Sequence, residues 1–146
     1  MNRFIPCLCA CLLALSAQAQ SRLPVTELTA GFHRIEAEVA VDQASQAKGL
    51  MYRRSMPANH GMLFVFPRTD RHCMWMRNTL MPLSVAFLDA QGKIINIEDM
   101  KPQTEDNHCA ASPAPYALEM NLGWFAAKGI KAGFQIGGIE KKQRDQ

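Results

Sequence analysis

Residues 34–41 form the stretch Arg-Ile-Glu-Ala-Glu-Val-Ala-Val, in which every second side chain is aliphatic. The odd-numbered positions carry only aliphatic side chains, whereas the positions between them include Arg34, Glu36 and Glu38. Successive side chains of a strand point to opposite faces, so this repeat is typical of a strand with one face in the core. The stretch therefore predicts a half-buried β-strand and favours a β-rich fold for the chain around it.

The remaining elements follow from similar short patterns. Further strands are predicted at residues 62–66, 72–80, 83–88, 93–98, 116–121 and 134–139. The turn at 90–92 would join two of them into a hairpin. Short helices are predicted at 42–51, where Asp42 can cap the first turn, and at 124–128, before Gly129. The pattern predicts a mainly β fold with α+β character: a compact barrel or sandwich of six to seven short strands and two short helices.

Residues 1–19 have the pattern of an export signal. Arg3 supplies a positive start, residues 4–17 carry no charge, and Ala17-Gln18-Ala19 is the small-x-small pattern that signal peptidase recognises. Because the uncharged stretch is shorter than the roughly 20 residues that span a bilayer, cleavage before Gln20 is favoured over a membrane anchor. Lipidation at Cys11 is a weaker alternative, since only a short apolar run precedes it. The mature protein is expected in the periplasm or outside the cell, without a membrane span.

The rest of the chain has room for one domain. We expect a lead-in segment at 20–33, a single β-rich domain at 34–140 and a basic tail at 141–146. Cleavage removes Arg3 and no acid, so the net charge falls from +3 to +2. The basic residues form no stripe with interleaved aromatics, and the sequence therefore predicts no nucleic-acid partner.

Two cysteines, Cys73 and Cys109, remain after the signal is removed. A pair of cysteines in an exported domain predicts one disulfide. On the chain-entropy model this bond would stabilise the fold by roughly 4 kcal/mol, and it would pin the loop predicted at 101–115. A redox-active pair is the weaker alternative, because reactive dithiols usually lie close together in sequence.

Five blocks of sequence are similar, in their order and spacing, to one protein family. The blocks are Gly49-Leu50-Met51-Tyr52-Arg53, Gly61-Met62-Leu63-Phe64-Val65-Phe66, Trp75-Met76-Arg77-Asn78-Thr79 with Pro82-Leu83, Leu118-Glu119-Met120-Asn121, and Gly129-Ile130-Lys131-Ala132-Gly133. Over residues 35–139 the chain resembles the DUF192 family of bacterial and archaeal proteins. The resemblance implies a compact, mainly β, often exported protein, but no reaction or catalytic residue, because the family is itself uncharacterised. The family often has an aromatic residue where this chain has Met74.

The predicted strand at 72–80 would place Trp75, Arg77 and Thr79 on one face. An indole, a guanidinium and a hydroxyl together suit a small ligand, since the aromatic ring supplies contact area and arginine can bind a carboxylate, a phosphate or a sugar hydroxyl. Glu119 lies in the middle of another predicted strand and completes this set of candidate ligand-binding residues. The alternative is that Arg77 and Glu119 form a surface salt bridge with a purely structural role.

A second set of residues could hold a metal ion. His72, Met74 and Met76 would share the other strand face, with His108 near Cys109, and imidazole with thioethers suits copper or zinc. Alternate residues of a strand lie roughly 6.5 to 7 Å apart, which is too far for easy convergence on one ion. Core packing of the methionines is therefore favoured. We expect no cofactor, with copper or zinc as the alternative.

The leading functional prediction is a non-catalytic module of the cell envelope that binds a small molecule or serves an envelope component. The sequence has neither a nucleophile elbow nor a Gly-rich phosphate loop, so a binding module is favoured over an enzyme. The alternatives are an enzyme acting on an envelope substrate and a periplasmic protein that handles copper or zinc.

Overall fold

A computed structural model describes residues 22–139, so the predicted export signal and basic tail lie outside the described residues. The described chain contains nine strands and two short helices. In chain order they are β1 (Val25–Ala30), β2 (His33–Ala40), α1 (Gln43–Lys48), β3 (His60–Asp70), β4 (Cys73–Met74), β5 (Leu83–Leu88), β6 (Ile94–Met100), β7 (His108–Cys109), β8 (Ala114–Asn121), α2 (Trp124–Ala127) and β9 (Ile136–Gly137). None of the helices in this part of the chain has the length and hydrophobicity to cross a membrane.

Seven strands form one sheet in the order β6-β5-β8-β3-β2-β1-β9, while β4 and β7 form a separate two-stranded ladder. All neighbours in the sheet are antiparallel except β2 and β3, which are parallel. The sheet curls into a half-barrel, and hydrogen bonds between Ile94 and residues 133–134 connect the start of β6 to the segment before β9. The predicted mainly β fold is confirmed, with the curled half-barrel as its specific form.

The two faces of the sheet bury two separate hydrophobic clusters. The first, which we call the barrel core, receives side chains from all seven strands, for example Leu28, Leu63 and Leu118. The second, the outer core, receives side chains mainly from β3, β5, β6 and β8 and is covered by residues 50, 74–81 and 110. Because successive side chains alternate along β8, Leu118 faces the barrel core and Glu119 faces the outer core.

The lead-in predicted at 20–33 is wrong for Val25–Ala30, which is strand β1. It pairs with β2 along its whole length, and Leu28 and Ala30 are fully buried in the barrel core. Only these two of its six residues are buried. The sequence of Val25–Ala30 therefore has too few buried positions to predict a strand. The segment is a strand because it pairs with both β2 and β9.

The strand predicted at 72–80 is also wrong beyond Met74. The chain turns at Asn78, whose φ of 55° lies in the left-handed region, and the backbone N–H of Thr79 donates to the carbonyl of Met76 (3.1 Å). The backbone N–H of Met76 donates to Thr104, which lies in the long loop rather than on a strand. Trp75, Arg77 and Thr79 therefore do not share a strand face.

The predicted disulfide between Cys73 and Cys109 is confirmed. The two cysteines lie directly opposite each other in the β4–β7 ladder. The ladder and the bond fix the middle of the loop predicted at 101–115 against β4. The predicted hairpin is confirmed as β5–β6, and both predicted helices form, although α1 is shorter than expected.

Candidate functional site

Glu119 is the buried acidic residue of the described chain. Its neighbours across the sheet are Met62 on β3 and Val85 on β5, and its exposed fraction is 4%. No described residue donates a hydrogen bond to its carboxyl group or forms an ion pair with it. No polar side-chain atom of the described residues is both sealed from solvent and unpaired, so the carboxyl oxygens of Glu119 are reached from the solvent side. Burial raises the pKa of Glu119 to about 8, because an apolar environment disfavours the charged form. The carboxyl group is therefore mostly protonated at neutral pH.

The side chain of Glu119 lines a small cavity, which we call the Glu119 cleft. It encloses about 30 Å³ and opens to solvent, and its empty space including the opening is about 280 Å³. Its walls come from the end of α1 and the residues after it, from β3 and from the chain after β4. The lining residues are Gln46, Ala47, Lys48, Gly49, Leu50, Met51, Phe64, Met74, Trp75, Thr79 and Glu119.

One wall is fixed by the way α1 begins and ends. Asp42 caps the helix by accepting the backbone N–H of Ser45 at 2.9 Å. The Gln46 side chain donates to the backbone carbonyls of Ala40 and Val65, which ties the helix to two strands. Gly49 ends the helix with φ of 46°, and a Cβ there would lie 3.4 Å from the Phe64 ring. A residue other than glycine would strain this turn and push against that ring.

The opposite wall is the segment after β4. Trp75 is 46% exposed, so its ring borders both the cleft and solvent. Thr79 is buried, and its hydroxyl donates to the carbonyl of Arg77 at 3.3 Å. The disulfide lies two residues before Trp75, so it restrains the start of this wall.

The structure brings together Trp75, Thr79 and Glu119, three of the four predicted ligand-binding residues. Arg77 is exposed and lies outside the lining, with its guanidinium carbon 5.6 Å from the centroid of the Trp75 ring. The predicted salt bridge between Arg77 and Glu119 is wrong. Arg77 pairs instead with Glu105 at 3.5 Å, because the turn at Asn78 directs it toward the long loop while Glu119 lies beneath the segment.

The residues of the predicted metal set are divided among different environments. The His72 ring stacks on Phe66 at 3.8 Å, and its Nε2 lies 2.8 Å from the carbonyl oxygen of Arg68. Met76 is buried in the outer core, Met74 lines the cleft, and His108 lies opposite Met74 in the β4–β7 ladder. Within residues 22–139 no group of three or more His, Cys, Asp or Glu side chains is placed to hold a metal ion. A site that uses the thioethers stays a prediction.

Sequence reasoning missed the wall formed by residues 46–51 and the contribution of Phe64. Residues 49–51 and Phe64 belong to blocks that carried the family resemblance, Gly49–Arg53 and Gly61–Phe66, whereas residues 46–48 precede the first block. A local pattern shows where a helix ends but not which strand it covers. The blocks themselves were the signal that could have indicated a shared site.

The fold and the site define a class of protein. It is a small β-rich domain with a half-barrel sheet, and a buried acid lies at the base of a cleft on the outer face of that sheet. Residues 25–138 match the model of the DUF192 family, which is described as uncharacterized. The chain therefore belongs to the DUF192 family, as its sequence blocks predicted. No curated protein matches it.

Two solved structures are similar to this chain along most of its length. A protein of unknown function from Novosphingobium aromaticivorans DSM 12444 is 35% identical, with a TM-score of 0.76 over 81% of this chain and 88% of that one. The other is a protein from Sinorhizobium meliloti 1021, which is 37% identical. Its description as a transcription regulator is provisional. Its TM-score is 0.71, over 75% of this chain and 88% of that one.

Proposed function

We propose that this protein is an exported domain of the cell envelope that binds a small molecule in the Glu119 cleft without transforming it. The observation that carries the proposal is the Glu119 carboxyl group, which is buried, faces a solvent-open cleft and has no partner among the described residues. Burying such a group without a hydrogen-bond partner costs free energy. A ligand that reaches into the cleft would provide the missing partner.

The surroundings of Glu119 suit binding. Phe64, Met74 and Trp75 provide aromatic and thioether contact area beside a single polar group, which is the usual composition of a small-molecule site. The enclosed volume holds only a small group, so the rest of the ligand would lie along the half-exposed Trp75 ring. The predicted export signal supports a location outside the cytoplasm, as does the disulfide, because such bonds persist in oxidising compartments.

The test is to purify the protein from the envelope fraction of its own cells and to record native mass spectra. We expect a bound small molecule in the wild type and its loss in Trp75→Ala and Glu119→Gln. Glu27→Gln is the matched control, because it makes the same substitution at an exposed position on β1. Melting curves would show that the variants are folded. A wild type without any bound molecule, or variants that keep it, would contradict the proposal.

Catalysis is the second candidate function, and the pKa of Glu119 is the observation that favours it. A carboxyl group with a pKa of about 8 can donate a proton at neutral pH, as a general acid does. However, Lys48 is the only other ionisable residue of the lining, and the Thr79 hydroxyl is already engaged with Arg77. An enzyme would show turnover of the co-purified molecule that Glu119→Gln abolishes while the variant still binds it.

A further inference from the structure

We propose that the ligand presents a protonated primary amine to the buried carboxyl group of Glu119 at the base of the cleft. This inference rests on the proposed function, since it names the chemical class that the cleft would accept. It follows from three features of the cleft: the unpaired carboxyl group, the absence of an inward cation, and the aromatic wall.

The first feature is what an unpaired buried carboxyl group requires. Once its proton has left, the buried carboxylate needs both hydrogen-bond donors and a compensating charge, and an ammonium group supplies three donors and one positive charge. A neutral alcohol or amide would supply donors only. Charge-assisted hydrogen bonds are roughly twice as strong as neutral ones, so the amine gains most from this position.

The second feature is the distribution of positive charge around the cleft. β3 and β5 present Met62, Phe64 and Val85 toward Glu119, and none of these is charged. In the segment after β4, Arg77 pairs with Glu105 outside the lining. Lys48 is the lining residue with a positive charge, and it is exposed at the end of α1. An anionic ligand would therefore lie beside Glu119 with no buried cation to neutralise it.

The third feature is the Trp75 wall. Aromatic faces attract cations, and tryptophan does so most strongly. The Arg77 guanidinium carbon lies 5.6 Å from the centroid of the Trp75 ring, so this ring already has one cation beside it. An alkylammonium ion could place its charge between the ring and the carboxyl group, and its alkyl chain could lie against Phe64 and Met74.

The size of the cleft selects among cations. The cavity of about 30 Å³ is larger than the roughly 10–15 Å³ that one water molecule requires by the same measure. An –NH₃⁺ head fits such a space, whereas a quaternary ammonium is larger and has no N–H to donate. We therefore expect primary amines to bind and tetramethylammonium to bind far more weakly.

Proton displacement gives the inference a pH signature. Burial raises the pKa of Glu119 to about 8. At pH 7 most protein molecules therefore carry a proton on Glu119, and a bound amine must displace it. The affinity for the amine should rise about ninefold from pH 6 to 7 and about fivefold from pH 7 to 8, and then level off. Each binding event at pH 7 should release close to one proton.

The experiment is a calorimetric titration of the mature protein at pH 6, 7, 8 and 9 with n-butylammonium, n-butanol, butyrate and tetramethylammonium. Repeating the pH 7 titration in buffers of different ionisation enthalpy counts the released protons. We expect n-butylammonium to bind most tightly of the four, with the rise in affinity described above. In Glu119→Gln the affinity should fall at least tenfold at pH 8 and lose its pH dependence, whereas Glu27→Gln should behave like the wild type.

Tighter binding of butanol or butyrate would overturn the inference, and so would an affinity for butylammonium that falls with pH or survives Glu119→Gln. These failures are distinguishable from a failure of the proposed function. If the native spectra show a Glu119-dependent ligand that lacks an amine, the binding function stands and the amine inference is wrong. If neither the native spectra nor the titrations show binding at the cleft, both are wrong.

Discussion

The two faces of the sheet are buried by different means. The barrel core is closed by the sheet itself, and Met120 is its one methionine among the described residues. The outer core is covered by turns and loop segments, and four of its buried residues are methionines: Met62, Met76, Met81 and Met100. Methionine is flexible and fills irregular space, so it suits a face whose cover has no repeating geometry.

The unpaired acid lies on the irregular side. Glu119 and Thr79 both belong to the outer face and its cover, and the cleft lies between them. Paired strands pack closely against the side chains between them. A cover made of turns, in contrast, can leave an opening above a polar side chain such as that of Glu119. We therefore expect the barrel core to supply more of the stability and the outer face to carry a functional group that lowers it.

The largest expected effect is the dependence of stability on pH through Glu119. Its pKa is about 8 in the folded state and about 4.5 when unfolded. Between these values the folded state binds more protons than the unfolded state, so stability is full below pH 4.5 and falls as the pH rises to 8. The shift corresponds to roughly 5 kcal/mol. Glu119→Gln should remove this loss, and urea unfolding at pH 5, 7 and 9 measures it.

Glu27→Gln should keep the wild-type pH profile, since Glu27 is an exposed acid in a 3.7 Å surface pair with Arg34. The difference between the two variants isolates the buried carboxyl group from the other acids. If the free energy of unfolding depended on pH in the same way in the wild type and in Glu119→Gln, burial of the Glu119 carboxyl group would not lower stability.

The next largest effect is removal of the disulfide. Cys73→Ala with Cys109→Ala should cost roughly 4 kcal/mol, because a closed loop of this length restricts the unfolded chain. Hydrogen exchange should rise mainly in residues 72–82 and 103–110, which cover the outer face, and little at Leu63 and Leu118 in the barrel core. Reducing the wild type should reproduce the pattern. An equal rise in both regions would mean that the two faces are not separable.

The same contrast explains which elements the sequence could predict. β2, the β5–β6 hairpin and α1 are determined by local signals: an alternating face, a short turn and the Asp42 cap. β1 has only two buried residues of six, so its place depends on pairing with β2 and β9. Local patterns carry no information about such partners.

The site was predicted in part and for the wrong reason. Trp75, Thr79 and Glu119 do lie together, but not on a strand face, because the chain turns at Asn78. Burial does not alternate along residues 75–79, because Met76 and Thr79 are buried whereas Trp75, Arg77 and Asn78 are exposed. The depth of Glu119 could not be predicted either, since it depends on how the end of α1 and the segment after β4 cover one position of β8.

The smallest effect compares one buried side chain from each core. Leu118 in the barrel core and Met76 in the cover of the outer face are both fully buried. Leu118→Ala should cost about 3 kcal/mol, since the strands around it are held by ladders and cannot collapse into the space. Met76→Ala should cost about 2 kcal/mol, because flexible methionines and an irregular cover can partly refill it. Urea unfolding at pH 5, where Glu119 is protonated in the folded state, compares the two without a charge effect. A greater loss for Met76→Ala would mean that the irregular cover is as tightly packed as the sheet it protects.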